Sequence, residues 1–596
     1  MKPYLLSSAL VQKLQQAVQS TYAVDLLPED IVIETPKQGQ GDFATTVAFT
    51  LAKKLKQAPK NIGETLVASL NDNASFFTAA FAMPGFINFT IHPSLWQSMI
   101  DCVMQEDDDF FRPNLGQGKS VYLEYISANP TGPLHVGHAR CAALGSFLAN
   151  AMTEARYQVK QEYLINDKGL QIQTLALSVW LRHMQQTHDI RFPQKAYQGS
   201  YIQDIAEDLL VNKAMLPPIH LPHDCTRVAD IQTALQAHHD PAHVQRLEAL
   251  MASESDDDNL WLEALRVWYE SCFAHTQRLA FEKACSASIL SDIKNDCQAF
   301  HVSIPHWFSE RTLHEQGKLE ACMEKLKDHT YVKDNALWFA SSRMGDSKDR
   351  VLQRSNGAFT YFAADIAYHL HKIEQKPNII IDVFGADHHG YVARLTAAVR
   401  CLSAHAVDFS VLIYQFVSLF KNKQPLQMST RSGTYVTLSD LTHEIGSGPA
   451  RYFLLSKRPD MHVHFDLEEA KHASMDNPLY RIHYAHARCH SVLHKHPITH
   501  KVRNYQALDH ANEIGILKTL AQYPSVLEKC IQERSAHTLS QFLFDLANQI
   551  HSYYAHTKIV QQDLEKDTQR LYLISSCQKI LQKGLALLGI EALDRM

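Results

Sequence analysis

The chain has 596 residues, enough for several domains that each bury a core of their own. Its net charge of −6 disfavours indiscriminate coating of nucleic acid, yet permits a local basic surface that docks one folded RNA. Eleven scattered cysteines with no CxxC pair exclude a zinc ribbon and a disulfide framework and fit a reducing cytoplasm, and no apolar run reaches the roughly 18 residues of a membrane span.

The opening Met1-Lys2-Pro3-Tyr4-Leu5-Leu6 is too short an apolar stretch for a signal peptide. Residues 1 to 112 read as a first domain. Within it, Ala44 to Lys56 has the spacing of an amphipathic helix, entered through Gly41-Asp42-Phe43. Phe81 to Ile91 carries a Pro84-Gly85 turn followed by strict alternation, a strand signal. The acidic run Asp107-Asp108-Asp109 is unsuited to a core and marks a boundary.

The most informative stretch follows. Val121 to Ile126 reads as a buried strand and Ala139 to Arg156 as a helix. Between them runs Ser127-Ala128-Asn129-Pro130-Thr131-Gly132-Pro133-Leu134-His135-Val136-Gly137-His138. Strand, Pro/Gly loop and helix form the architecture of a nucleotide site in an open α/β sheet. A helix start offers free N–H groups and partial positive charge to phosphate. His135 and His138 share one face of the first turn, and Gly137 lets a flat base approach the backbone. Taken alone, HxGH fits a helix start with incidental histidines equally well.

Further along, Pro217 to Asp258 is rich in Pro, His and Asp and reads as irregular or mobile. Ile379 to Phe384, followed by Gly385-Ala386-Asp387, is a second strand leading into a βα turn, where ligands collect in a parallel sheet. Gln427 to Gly433 has the composition of a polar surface loop. From about 475 onward the pattern is helical, with strong amphipathic segments at Leu539 to Tyr554 and Leu571 to Leu588. A generic helical bundle used for dimerisation is the weaker alternative for that pattern. The 34 histidines, His486 to His500 included, read as mostly solvated and not as metal ligands.

The Ser127–His138 loop, with Val136 for the usual Ile, resembles the HIGH motif of class I aminoacyl-tRNA synthetases. Ser127 to Gly132, His138-Ala139-Arg140, Glu162 to Gly169 and Tyr197 to Ile202 resemble the arginyl-tRNA synthetases in particular. That resemblance implies an α/β fold with a Rossmann-like parallel-sheet catalytic core and helical insertion over 113–474. An N-terminal α/β add-on domain contacting tRNA would occupy 1–112, and a C-terminal helical anticodon-binding bundle 475–596. The implied reaction joins L-arginine to the 3′ end of tRNA(Arg) through an arginyl-adenylate, with ATP as substrate and Mg²⁺ arriving with it. No protein-bound zinc or other metal, a monomeric state, a cytoplasmic location, no membrane contact and a need for bound tRNA in activation are implied too.

The resemblance also carries residue roles. His135 and His138 would hydrogen-bond the phosphates, with Gly137 under adenine. Ala128, Asn129, Pro130, Thr131, Gly132, Pro133, Leu134, Val136, Gly385 and Asp387 would surround ATP. Met428, Ser429 and Arg431 stand in the counterpart of the mobile KMSKS loop, but Gln427 and Thr430 replace both of its lysines. The lysine that compensates in some relatives, just before the HIGH motif, is absent, because Gly132-Pro133 stands there. Arg431 is then the first candidate cation, and Lys421 or Lys423 the second. Arginine itself would meet Asn129, Glu310, Tyr361 and Asp365, since a guanidinium calls for facing carboxylates in a bidentate pair. Two rivals are a relative that activates another amino acid, such as cysteine, and a non-catalytic RNA-binding paralogue.

Overall fold

The computed structural model describes residues 2–37, 39–72, 74–210, 224–237, 241–254, 257–404, 406–426 and 436–596. They gather into two compact units, one of residues 118–150 and 157–472, the other of 1–117, 151–156 and 473–596.

The first unit is built on five parallel strands: β1 (Ser120–Glu124), β2 (Gln158–Ile165), β3 (His306–Ser309), β4 (Ile379–Gly385) and β5 (Asp408–Tyr414). Four helices concern the site: α1 (Val136–Glu154), α2 (Leu170–Met184), α3 (Tyr361–Glu374) and α4 (Val392–Ser403). Apolar runs such as Val121, Leu123, Ile380 and Ile381 lie fully buried, as strands covered on both faces require. The spatial order is β5-β4-β1-β2-β3. The chain therefore runs outward from β1 to β3, then returns to the other side of β1 for β4 and β5. That reversal opens a crevice at the carboxyl ends of β1 and β4, the place where open α/β sheets bind ligands. The expected strand and helix flanking the HxGH loop are thus both present, the helix starting three residues early, at Val136.

A buried ionic cluster bolts this crevice from below. Lys372 of α3 is fully buried, and its ammonium bonds both Glu124, the last residue of β1, and Asp382 of β4. His369, one turn earlier, bonds Asp382 Oδ2 at 2.7 Å through Nε2 and the Asp365 carbonyl at 2.7 Å through Nδ1. Burial alone would raise the Asp382 carboxyl, but Lys372 and His369 together hold it down to about 2.

Of the stretch from Pro217 to Asp258, expected to be irregular, residues 217–223, 238–240 and 255–256 lie outside the described residues, and most of the rest is helical. Val228–Ala237 and Pro241–Ser253 are helices, and a third begins at Asp257. Helical spacing of Ile231, Ala234 and Leu235, all buried, outweighs the scattered Pro and Asp.

In the second unit, four antiparallel strands stand in the order Ile33–Glu34, Phe43–Thr45, Phe86–Ile91, Phe77–Ala82. The strand expected after the Pro84-Gly85 turn is there, as Phe86–Ile91, while the helix expected from Ala44 begins only at Val47, because Phe43–Thr45 pairs with the Phe86 strand. The acidic run is not loose chain: Asp107 caps the helix Asp108–Phe111 and takes the Lys2 ammonium at 2.8 Å. The unit's helices include Pro478–Lys495, His537–His556 and Leu564–Leu587. The last starts seven residues before the expected Leu571, where the Asp563 side chain caps the Lys566 N–H.

Lys372→Met should lower the unfolding free energy of the first unit by about 3–5 kcal/mol, because Glu124 and Asp382 would remain buried without a cation. Urea unfolding followed by tryptophan fluorescence measures this. A triple variant with Lys372→Met, Glu124→Leu and Asp382→Leu should recover most of the loss, and no recovery would contradict the electrostatic account.

Candidate active site

The loop after β1 leaves the sheet through two non-glycine residues with left-handed backbone, Ile126 at φ +69° and Ser127 at φ +42°. Such strain persists only where surroundings impose it. Here Ser127 Oγ accepts from Leu164 N at 3.1 Å, and Ile126 N donates to Cys141 Sγ at 3.1 Å. The Tyr163 and Tyr201 hydroxyls donate to the carbonyls of Ala128 and Thr131, each at 2.8 Å. The far end of the loop is stitched to the segment that follows residue 435: Val136 N donates to Val436 O at 3.2 Å and Leu438 N to Leu134 O at 2.7 Å.

The two histidines stack, ring centroids 3.8 Å apart and planes 24° from parallel. Their orientation is set by backbone N–H groups at the start of α1. His135 N donates to His138 Nδ1 at 3.2 Å, and Gly137 N to His135 Nδ1 at 3.1 Å. An Nδ1 that accepts carries no proton, so each neutral ring keeps its proton on Nε2. Burial lowers both pKa values, that of His138 to about 3, while Asp387 partly opposes the drop at His135. The pair is therefore a pair of neutral donors at pH 7. Gly137 has a role that spacing did not indicate: a Cβ there would lie 2.8 Å from His135 Cε1, so the missing side chain makes room for the histidine ring.

A cleft of about 920 Å³ opens beside this pair. Of the residues expected around the nucleotide, Asn129, Thr131, Gly132, Pro133, His135 and His138 line it, while Ala128, Pro130, Leu134 and Val136 are buried behind it. Its opposite wall carries Gln171, Lys195 and Tyr197, to which sequence reasoning assigned no role. The motif around Tyr197 was the available signal, and only folding shows which of its side chains reach the cleft.

The other expected residues converge on the same sheet edge. Gly385 ends β4, and a Cβ there would sit 2.5 Å from Asp387 Oδ1, so glycine lets that carboxylate fold back. Glu310 follows β3, is 8 % exposed, and its N–H bonds Ile165 O at the end of β2 at 2.9 Å. Its neighbours are fixed by Asp167, which accepts from Ser309 Oγ at 2.7 Å and from Arg311 N at 3.1 Å. Asp365 lies one turn into α3, half-buried, with the Tyr391 hydroxyl bonded to its carboxylate. Burial, with Glu310 and Glu124 adding like charge, raises this carboxyl to about 6 against the pull of Tyr391 and His369. Tyr361, at the head of α3, is 64 % exposed and sets its hydroxyl over Gly169. Met428, Ser429 and Arg431 lie outside the described residues. Lys421 is paired with Glu444 at 2.8 Å, and Lys423 is exposed.

In the second unit, helices Pro478–Lys495 and His537–His556 border another cavity, of about 990 Å³. The Arg488 guanidinium lies over the rings of Tyr484 and Tyr554, at 4.5 and 4.4 Å, and Lys495, Lys558 and Arg595 add positive charge.

Comparison with known proteins matches the whole length. Residues 8–91 match the arginyl tRNA synthetase N-terminal domain, residues 100–210 and 287–473 the class I (R) tRNA synthetase catalytic domain, and residues 482–596 the DALR anticodon binding domain. The arginine–tRNA ligase of Legionella pneumophila (strain Corby) is 38 % identical, with 100 % of this chain and 99 % of the relative covered. That of Coxiella burnetii (strain RSA 493) is 38 % identical, with 98 % of each covered. The Thermus thermophilus arginyl-tRNA synthetase structure shares the fold at a TM-score of 0.70 and 22 % identity, over 99 % of this chain and 100 % of that one.

Gly137→Ala should displace the His135 ring and weaken binding of an adenine nucleotide to the full chain at least tenfold, with little change in melting temperature. Titration with a fluorescent ATP analogue reads this. An unaltered affinity would show that the ring does not depend on the missing Cβ.

Proposed function

The chain belongs to the arginyl-tRNA synthetase family, and from that premise we propose that it charges tRNA(Arg) with L-arginine at the expense of ATP, as a monomer in the cytoplasm. One observation supports the residue-level reading: near the strand switch point the neutral imidazole donors His135 and His138 line the cleft after β1, while the acids Glu310 and Asp365 stand after β3 and in the first turns of α3. The first suits phosphate and the second a guanidinium.

In the first step a carboxylate oxygen of arginine attacks the α-phosphorus. The bond from that phosphorus to the bridging oxygen breaks, and pyrophosphate leaves. The nucleophile belongs to the substrate, so the protein supplies position and charge. Nε2–H of His135 and His138 would donate to phosphate oxygens, with the α1 N-terminus behind them. Gly385 and Asp387 would take the ribose side, Asn129 the substrate backbone, and Tyr361 would cover a guanidinium held by Asp365 and Glu310. In the second step a terminal ribose hydroxyl of tRNA attacks the carbonyl carbon and AMP leaves.

Among the described residues no three His, Cys, Asp or Glu side chains converge as a metal site. Mg²⁺ would arrive as the counter-ion of ATP. Arg431, with Met428 and Ser429 beside it, is the proposed loop cation, since Lys421 is engaged by Glu444. The arginine-bearing aromatic cavity of the second unit has the chemistry of an RNA site, a cation for phosphate and rings for stacking bases. We assign residues 475–596 to the anticodon stem-loop and residues 1–112 to another part of the tRNA.

Pyrophosphate–ATP exchange with each of the twenty amino acids, with and without total tRNA, tests the reaction. Exchange with arginine alone, dependent on tRNA, is expected. Exchange with another amino acid or none at all would overturn the assignment. The pH profile tests the acid pocket. Below about pH 6 the Asp365 carboxyl takes up a proton and loses its charge. kcat/KM for arginine should therefore fall as pH drops from 7 to 5. Asp365→Asn should have a low kcat/KM that does not follow this titration, and a parental profile in that variant would remove Asp365 from the pocket.

A further inference from the structure

Tyr391 closes the short helix Ala386–Tyr391, which follows directly on Gly385 and carries Asp387, the nucleotide side of the cleft. Its hydroxyl nevertheless donates to Asp365 on α3, the arginine side. Among the described residues it is the hydrogen-bond donor to that carboxylate. The ring is held from two directions. The Arg394 guanidinium lies over it at 4.8 Å, and the Phe362 ring meets it edge-on at 5.8 Å and 87°.

The same turn of α3 is tied to β4 a second time. The Asp365 carbonyl accepts from His369, whose other nitrogen bonds Asp382, three residues before Gly385 on the strand. The backbone of Asp365 is thus fixed to the body of β4, while its carboxylate is fixed to the helix beyond the strand's end. A movement of that helix shifts the Tyr391 hydroxyl against an Asp365 backbone that stays in place. The hydroxyl occupies Oδ2, which leaves Oδ1 to receive a guanidinium N–H. Without the hydroxyl the carboxylate is free to rotate away from Glu310, whose like charge repels it.

We infer that Tyr391 is a positioning residue that couples the two substrate subsites: nucleotide bound at Gly385 and Asp387 sets the helix, the helix sets the Tyr391 hydroxyl, and the hydroxyl aims Asp365 at the guanidinium. The inference rests on the proposed role of Asp365 in binding arginine. Its consequence is a coupling free energy between ATP and arginine binding, which by linkage appears equally in both affinities.

The test is equilibrium dialysis of labelled arginine against the full chain with total tRNA, in the presence and absence of a non-hydrolysable ATP analogue. The parent should bind arginine at least fivefold more tightly with the analogue, and the analogue's own affinity should rise by the same factor with arginine. Tyr391→Phe keeps the ring and its packing but lacks the hydroxyl. Its ratio should fall to near one, with analogue affinity in the absence of arginine within twofold of the parent. A merely structural role would weaken binding or lower the melting temperature without moving the ratio. Arg394→Ala, which loosens the ring and keeps the hydroxyl, should give an intermediate ratio, and it serves if Tyr391→Phe does not fold. A parental ratio in Tyr391→Phe, or no coupling in the parent, overturns the inference. Asp365→Asn separates the two claims: parental arginine binding in that variant removes the pocket assignment itself, whereas lost binding there with an unchanged ratio in Tyr391→Phe removes only the coupling.

Discussion

A single buried ammonium sets the geometry of the catalytic unit. Lys372 reaches the end of β1 and the middle of β4, the two strands between which the topology reverses, and neutralises one carboxylate on each. Two acids that close to the sheet's centre would repel each other and force the strands apart without it. An apolar residue of similar size would pack as well, so net stability does not explain the ionic choice. Direction does: charge-assisted hydrogen bonds fix where α3 lies over the crevice, and α3 carries both Tyr361 and Asp365. His369 extends the same network by holding the Asp365 carbonyl.

From that frame follows a division of charge across a short span. On the β1 side, backbone N–H groups bond the Nδ1 atoms and burial suppresses protonation, so the histidines act as directional donors without net charge. On the β3 and α3 side stand two carboxylates: His314 comes within 3.9 Å of Glu310, Lys168 acts on the same acid, and Asp365 takes the Tyr391 hydroxyl. Burial of a carboxylate is costly unless an opposite charge meets it. The raised Asp365 pKa expresses that cost, and a guanidinium relieves it.

Local pattern revealed the elements whose apolar spacing is regular. Val121 to Ile126, the strand after Pro84-Gly85 and the helix at Leu539 lie where their spacing put them, to within a few residues. Pattern was less informative where a tertiary partner decides. Ala44 has helical spacing but sits in a strand because the Phe86 strand needs a neighbour. Asp107 looks like linker until Lys2 is found against it, 105 residues away in sequence. The site divides in the same way. The HxGH loop, Glu310, Tyr361, Asp365, Gly385 and Asp387 were identifiable as motifs. The work done by Gly137 was not, because its neighbour is a ring conformation and not a residue type. Lys372, Tyr391, Lys195 and Tyr197 escaped because their meaning lies in which side chains from distant segments they meet.

The remaining question in this site is the source of positive charge on the leaving pyrophosphate, and the structure narrows it by subtraction. The histidines are neutral at pH 7. Lys421, one of the two lysines that precede the loop, shares Glu444 with Lys471 and would have to break that contact to act, while Lys423 is exposed. Lys195 lines the cleft, with its ammonium 2.6 Å from Asn259 Oδ1. Arg431 lies outside the described residues, five residues before Val436, whose carbonyl accepts from Val136 N of the HxGH loop. A chain with Gln427 and Thr430 in place of both loop lysines keeps in Arg431 a permanently charged donor of forked shape. A guanidinium offers phosphate a planar bidentate contact where an ammonium offers a point charge.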